Sequence, residues 1–200
     1  MKKILTLLVI SACAHVSLAQ DFNKNLADAR SSYAAGNLSN SRFAMEQMLH
    51  TLDAAIGKDI LKLLPPKMDA LAANVKDDNT TGTGTNAGLG LFVQRTYGTG
   101  AKTATVDIIN NSPLITSLNA LLALPFIGRG GDGNQKVVKV QGYKAVLTKT
   151  ENTDTKKLDY DLQVPLQNTL VTFKVTEAQE ADVLRMANTI PLEKIAQMAQ

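Results

Sequence analysis

The chain has 200 residues, 44% of them hydrophobic, and a formal net charge of +3. That length permits one domain, or one domain with an appendage, and that apolar share can build a core without disulfides. Lys2 and Lys3 account for two of the 21 basic residues, and the remaining 19 nearly balance 18 acidic ones. With no local basic cluster and no Trp, the composition argues against a nucleic-acid surface and against aromatic stacking platforms.

Met1-Lys2-Lys3 followed by an apolar run from Ile4 to about Ala14 and the small-x-small site Ser17-Leu18-Ala19 reads as a signal peptide covering residues 1–19. The apolar run is shorter than the roughly 20 residues that span a bilayer, so no transmembrane anchor is expected. Ile10-Ser11-Ala12-Cys13 resembles a bacterial lipobox, and lipidation at Cys13 is the alternative to simple secretion. Cys13 is the only cysteine, so the exported domain is expected to hold together by packing alone.

From Asp21 to Pro65, Leu26, Ala29 and Tyr33, then Met45, Met48, Leu49, Leu52, Ala55 and Ile56 recur at helical steps. Gly36-Asn37 interrupts them and Pro65-Pro66 ends them, which predicts a helical hairpin over residues 20–66. Met45, Met48, Leu49 and Leu52 form its expected buried face. The spacing Ala29, Tyr33, Gly36-Asn37-Leu38, Ser41, Met45, Met48-Leu49 resembles a single tetratricopeptide unit, with no second copy to stack on it.

Residues 67–200 are expected to form the main domain. A polar, Gly-rich connection spans 76–90, then Leu91–Tyr97 and Lys102–Ile109 read as a strand pair around Gly98-Thr99-Gly100. Ser112-Pro113 opens a predicted helix to about Leu124, followed by a second Gly-rich loop at 128–134. A β-rich run covers Lys136–Thr148, broken at Gly142. Lys157–Val164 then alternates polar and apolar without interruption, and in Asn168–Val175 the core positions are Val171, Phe173 and Val175, with Thr172 and Lys174 outside. Thr176-Glu177-Ala178-Gln179 reads as a capping box opening a helix to about Asn188, and Pro191 starts a last short helix with Leu192, Ile195 and Met198 on one side. Hairpin-linked strands with helices between them indicate an antiparallel α+β domain.

The run from Lys136 through Val140-Gln141-Gly142-Tyr143-Lys144-Ala145, two further strands and a closing helix, together with Leu63-Leu64-Pro65, resembles the DcrB-type envelope proteins of the PsbP-like fold. The likeness covers about two-thirds of the chain. It implies an α-β-α sandwich and an envelope protein, and it carries no catalytic residues across. The helical hairpin and the charge-free helix near 112–125 are departures from that pattern.

Candidate chemistry is narrow. Without the signal segment His50 is the sole histidine, which leaves no Cys/His metal set and no thiol nucleophile. His50 itself reads as a partly exposed helix residue. Gly82-x-Gly84-x-x-Ala87 matches a dinucleotide fingerprint in letters, but it lacks the preceding strand and following helix that the phosphate contact needs. Gly130–Asn134 offers one Asp and one Asn, too few oxygens for calcium. No cofactor is expected. Asp159 and Asp161 project from one strand face, a pairing that can do acid/base work when one is buried, although Lys157 and Lys174 make a charge-balanced face the plainer reading.

No charge occurs between Asp107 and Arg129. The helix there carries Leu114, Ile115, Leu118, Leu121 and Leu122 on one face, with Asn119 and Ala120 opposed to them, and Phe126 and Ile127 prolong the apolar run. Leu114, Leu118, Asn119, Ala120, Leu121, Phe126 and Ile127 are therefore the candidate binding surface for an envelope protein or an apolar ligand. The function expected is a non-catalytic binding or accessory protein of the envelope. A structural subunit assembled through the hairpin or an edge strand is the alternative, and a hydrolase with an unidentified site is the third reading.

Overall fold

The computed structural model describes residues 20–81, 90–123 and 133–199. The expected signal segment with Cys13, the Gly82–Ala87 fingerprint, Phe126, Ile127 and most of the second Gly-rich loop lie outside them. The chain divides into two compact units, Met1–Ala55 and Ile56–Gln200, with the division inside the second helix.

In the first unit, α1 (residues 20–34) and the first part of α2 (Leu38–Leu63) form the predicted hairpin. Gly36 takes a left-handed φ of 73° between them, and the Asn37 side chain accepts the Asn40 N–H at 3.1 Å. Its predicted inner face is turned the other way. Met45, Leu49 and Leu52 are exposed and Met48 half-buried, whereas Ala29, Ser41 and Ala44 are buried. The Ser41 hydroxyl donates to the Ala29 carbonyl at 3.0 Å. A buried hydroxyl needs such a partner, and the Ala29 carbonyl supplies it where the small residues of α2 lie inward.

In the second unit the strands are β1 (Lys67–Met68), β2 (Leu71–Ala72), β3 (Asn79–Thr80), β4 (Phe92–Thr99), β5 (Lys102–Asn110), β6 (Gln135–Val140), β7 (Tyr143–Glu151), β8 (Leu158–Leu166) and β9 (Thr169–Val175). The helices are α3 (Leu114–Ala123), α4 (Glu180–Ala187) and α5 (Leu192–Met198). β1 and β2 pair as a small hairpin, and the other seven strands form one antiparallel sheet in the order β3-β4-β5-β9-β8-β7-β6. This is the expected α+β class, with helices on both faces of the sheet. The small hairpin and β3 escaped the sequence reading, because two-residue strands show no period.

One face of the sheet holds the main core. Val106, Phe173, Leu162 and Leu147 are in register across four neighbouring strands and all are buried. Ile60 of α2, Leu64 just after it, Val183 and Met186 of α4, and Ile195 of α5 belong to the same cluster. On the opposite face, Ile115 and Leu118 of α3 pack on Val146 and Leu170. That second layer overturns one expectation. Thr172 is only 7% exposed, because β9 is the central strand and is covered on both sides. Lys174 is exposed as expected.

Two further polar features position the site. Arg95, on the core face of β4, forms a two-pronged ion pair with Asp78 (Nε–Oδ1 2.8 Å) and donates to the Leu61 carbonyl at 2.9 Å and the Leu64 carbonyl at 3.3 Å. It therefore satisfies carbonyls that the C-terminus of α2 leaves without intrahelical partners. Gly98 has φ +75°, and a Cβ there would lie 2.6 Å from the Lys102 carbonyl oxygen and 2.8 Å from Leu71 Cδ2. Glycine is what lets β2 lie against the β4–β5 turn. Asn74 secures that contact, donating its amide to the Gly98 carbonyl at 2.8 Å.

Candidate functional site

The sequence expectations for the site meet the structure unevenly. On α3, Asn119 and Ala120 are exposed and Leu118 is buried, as the opposed faces imply, and Leu121 is half-buried. Leu114 is a correction: it is 51% exposed, because it sits on the first turn, where Ser112 caps the helix and Ile115 is the first residue to reach the sheet. His50 is half-buried on α2 within the first unit.

Asp159 and Asp161 share the face opposite Tyr160 and Leu162, but they do separate work. Asp159 accepts the Glu177 N–H at 2.9 Å. Asp161 stands beside Lys174 in register, and one of its carboxylate oxygens is buried without a hydrogen bond. Burial pushes its carboxyl up from 3.8; Lys174 pulls it back and Asp107 pushes it further up. The folded protein thus holds this proton more tightly than the unfolded chain, so the ionised carboxylate costs stability above its folded pKa. The cost fades as pH falls through that pKa toward 3.8. Asp161→Asn should therefore be more stable than the parent at pH 7, with the gap closing below about pH 4, near the unfolded value. Denaturant midpoints at the two pH values test it, and a less stable variant at pH 7 would mean that the Lys174 contact outweighs the burial.

The main candidate site was not foreseen. A cleft of about 420 Å³ opens at the end of the sheet where β5 and β8 begin and β9 ends. Its walls are the β1–β2 turn (Asp69, Ala70, Leu71), the loop before β8 (Lys156, Lys157) and the segment from β9 into α4 (Thr176–Gln179, Asp182, Met186), with Lys102 beside them. Leu71, Leu158, Val175, Ala178 and Met186 give it an apolar lining, beside the charged side chains of Asp69, Lys102, Lys156, Lys157, Glu177 and Asp182.

The segment after β9 explains why the predicted capping box fails. The Thr176 hydroxyl is spent on strand contacts, donating to the Ala101 carbonyl at 2.8 Å and accepting the Thr103 N–H at 2.9 Å. Glu177 takes φ +48°, its N–H held by Asp159 and its carboxylate 2.7 Å from Lys157 Nζ. Ala178 N–H then donates to the Leu158 carbonyl at 3.0 Å, and α4 begins only at Glu180. Of the two side chains the capping box would use, Thr176 is bonded to the sheet and Gln179 stands at the N-cap of α4 without a side-chain cap bond, and both line the cleft.

Three non-glycine residues with positive φ line this one cleft: Asp69 (51°), Lys156 (58°) and Glu177 (48°). Such conformations cost of order 1–3 kcal/mol each, and they persist where surrounding contacts impose them. Those contacts are identifiable. Arg185 grips both oxygens of Asp69 at 3.1 and 2.6 Å, tying α4 to the β1–β2 turn, and also reaches Asp182 at 2.8 Å. Asn152 organises the loop before β8, accepting the Asp154 and Thr155 N–H groups at 3.0 and 3.2 Å. Arg185 holds the Asp69 carboxyl below its ordinary range, and Lys157 does the same for Glu177. Lys102 lowers Glu177 further through space, yet it makes no ion pair among the described residues.

The arrangement can bind: an apolar lining, fixed charges beside it and, among the described residues, one lining lysine without an ion pair. Among the described residues no group of three His, Cys, Asp or Glu side chains could hold a metal ion, and no helix is long and apolar enough to cross a membrane. No family model, curated protein or solved structure matches this chain, so the site has to be read from its own geometry.

Proposed function

We propose that this chain is an exported, non-catalytic binding or accessory protein of the bacterial cell envelope. Its ligand is a small amphiphile, an apolar body with an anionic head, taken into the cleft between the β1–β2 turn and α4. The carrying observation is the cleft's make-up: an apolar lining of Leu71, Leu158, Val175, Ala178 and Met186, with Lys102 beside it lacking an ion pair among the described residues. Its volume is within the range of small-molecule sites, which are mostly apolar with a few fixed polar groups. The pinned left-handed residues support the same reading, since a shape held before binding lowers the ordering cost. Export rests on the residues before Gln20 alone. The cleft is preferred to α3 because Ile115 and Leu118 are already spent on the sheet.

Calorimetric titration with decanoate tests the reading. One saturable site is expected, weakened at least about tenfold (1.4 kcal/mol) by Lys102→Glu and by the cleft-filling Ala70→Trp. Both substitutions are at exposed positions, so denaturant midpoints should remain near the parent's. Absence of saturable binding, or binding unchanged in both variants, overturns the proposal.

A further inference from the structure

The charges that line the cleft do not all cancel against a neighbour. Lys157 Nζ stands 2.7 Å from the Glu177 carboxylate, whose side chain is only 6% exposed, and Lys156 reaches Glu151 at 3.6 Å. Lys102 forms no ion pair among the described residues. On the α4 side the balance has the opposite sign. Arg185 Nη2 lies 2.6 Å from Asp69 Oδ2 and 2.8 Å from Asp182 Oδ1, while its Nε donates to Asp69 Oδ1 at 3.1 Å. One guanidinium thus serves two carboxylates. Asp69 has both oxygens bonded, whereas Asp182 shares a single nitrogen and its Oδ2 accepts no hydrogen bond among the described residues. With every pair set aside, the lining keeps one charge of each sign, on Lys102 at the start of β5 and on Asp182 of α4.

We infer, resting on the amphiphile reading of the cleft, that the head of its ligand is dipolar: an anion received by Lys102 and, close to it, an ammonium received by Asp182. A ligand with an anion alone would displace water from around Asp182 and leave two like charges facing each other, which costs affinity. An ammonium on the same head turns that repulsion into a charge-assisted hydrogen bond. A purely cationic head meets the converse problem at Lys102. Leu71, Val175 and Met186 in the same lining lower the local screening, so the difference between these heads grows. The Asp182 side chain is 43% exposed, so a ligand reaches it without any opening of α4.

Calorimetric titration with 2-aminodecanoate, which has the chain length of decanoate and an ammonium beside the carboxylate, tests it. The parent should bind this zwitterion at least about tenfold tighter than decanoate, and tighter than decylamine by at least as much. In Asp182→Asn the preference should vanish, with 2-aminodecanoate binding no tighter than decanoate, at a denaturant midpoint near the parent's. Equal affinity of the parent for the two acids overturns the dipolar head and leaves the cleft a site for plain anionic amphiphiles. Decylamine binding as tightly as 2-aminodecanoate, or a preference that survives Asp182→Asn, overturns it too. A parent that binds neither acid overturns the reading of the cleft itself.

Discussion

Replacing Asp78 with alanine should destabilise the sheet unit by about 3–5 kcal/mol, the range for removing one partner of a buried ion pair. The Arg95 side chain is only 7% exposed and that of Asp78 12%, so the guanidinium would be left charged with no countercharge within reach. Its remaining bonds to the Leu61 and Leu64 carbonyls cannot neutralise it. Nor can Tyr97, whose hydroxyl burial pushes up to about 12, so that it stays neutral. Two denaturation curves with the same slope and well-separated midpoints are the expected result. If Asp78→Ala shifts the midpoint by less than about 1 kcal/mol, the pair is solvated in practice and Arg95 is a surface residue. Substituting the pair jointly, Asp78→Leu with Arg95→Met, should cost less than Asp78→Ala, because no orphan charge remains.

Phe173→Ala should be comparably damaging, about 3–5 kcal/mol, as truncation of a buried phenylalanine generally is. Phe173 is fully buried on the central strand, with Val106 and Leu162 opposite it on either side. Neighbouring strands are hydrogen-bonded in place and cannot close the void, so both the transfer cost and the cavity cost are incurred. Lys194→Ala, on the exposed side of α5, is the control and should change stability by less than about 0.5 kcal/mol. Equal small effects from the two substitutions would mean that Phe173 faces solvent and the register of β9 is displaced by one residue.

The uneven legibility of the chain has a common cause. β8 and β9 could be read from their letters because alternation with period two leaves only one face that keeps Asp159, Asp161 and Lys174 out of the main core. The capping box at Thr176 was misread because the same hydroxyl can cap a helix or bind strand carbonyls. Only the position of Ala101 and Thr103, more than 70 residues earlier, selects the second. The cleft was invisible for a similar reason. Asp69, Lys102, Lys157 and Glu177 are scattered in sequence, and three positions with positive φ in its lining carry no glycine that would advertise them.

By itself, then, the sequence determined the antiparallel α+β class, the hairpin at its start and the inward side of the strands from Leu158 to Val175, through periodicity and the cost of burying charge. Tertiary structure alone decided the rest. It buried Thr172 by laying α3 over the second face of the sheet, and it drew Arg95 into the core because Asp78 and the end of α2 supply its partners. It also left Met45, Leu49 and Leu52 outward, with Ala29, Ser41 and Ala44 buried in their place and the Ser41 hydroxyl bonded to the Ala29 carbonyl. In each case the deciding contact joins residues whose separation along the chain exceeds any local period, and local pattern is all that a single sequence displays.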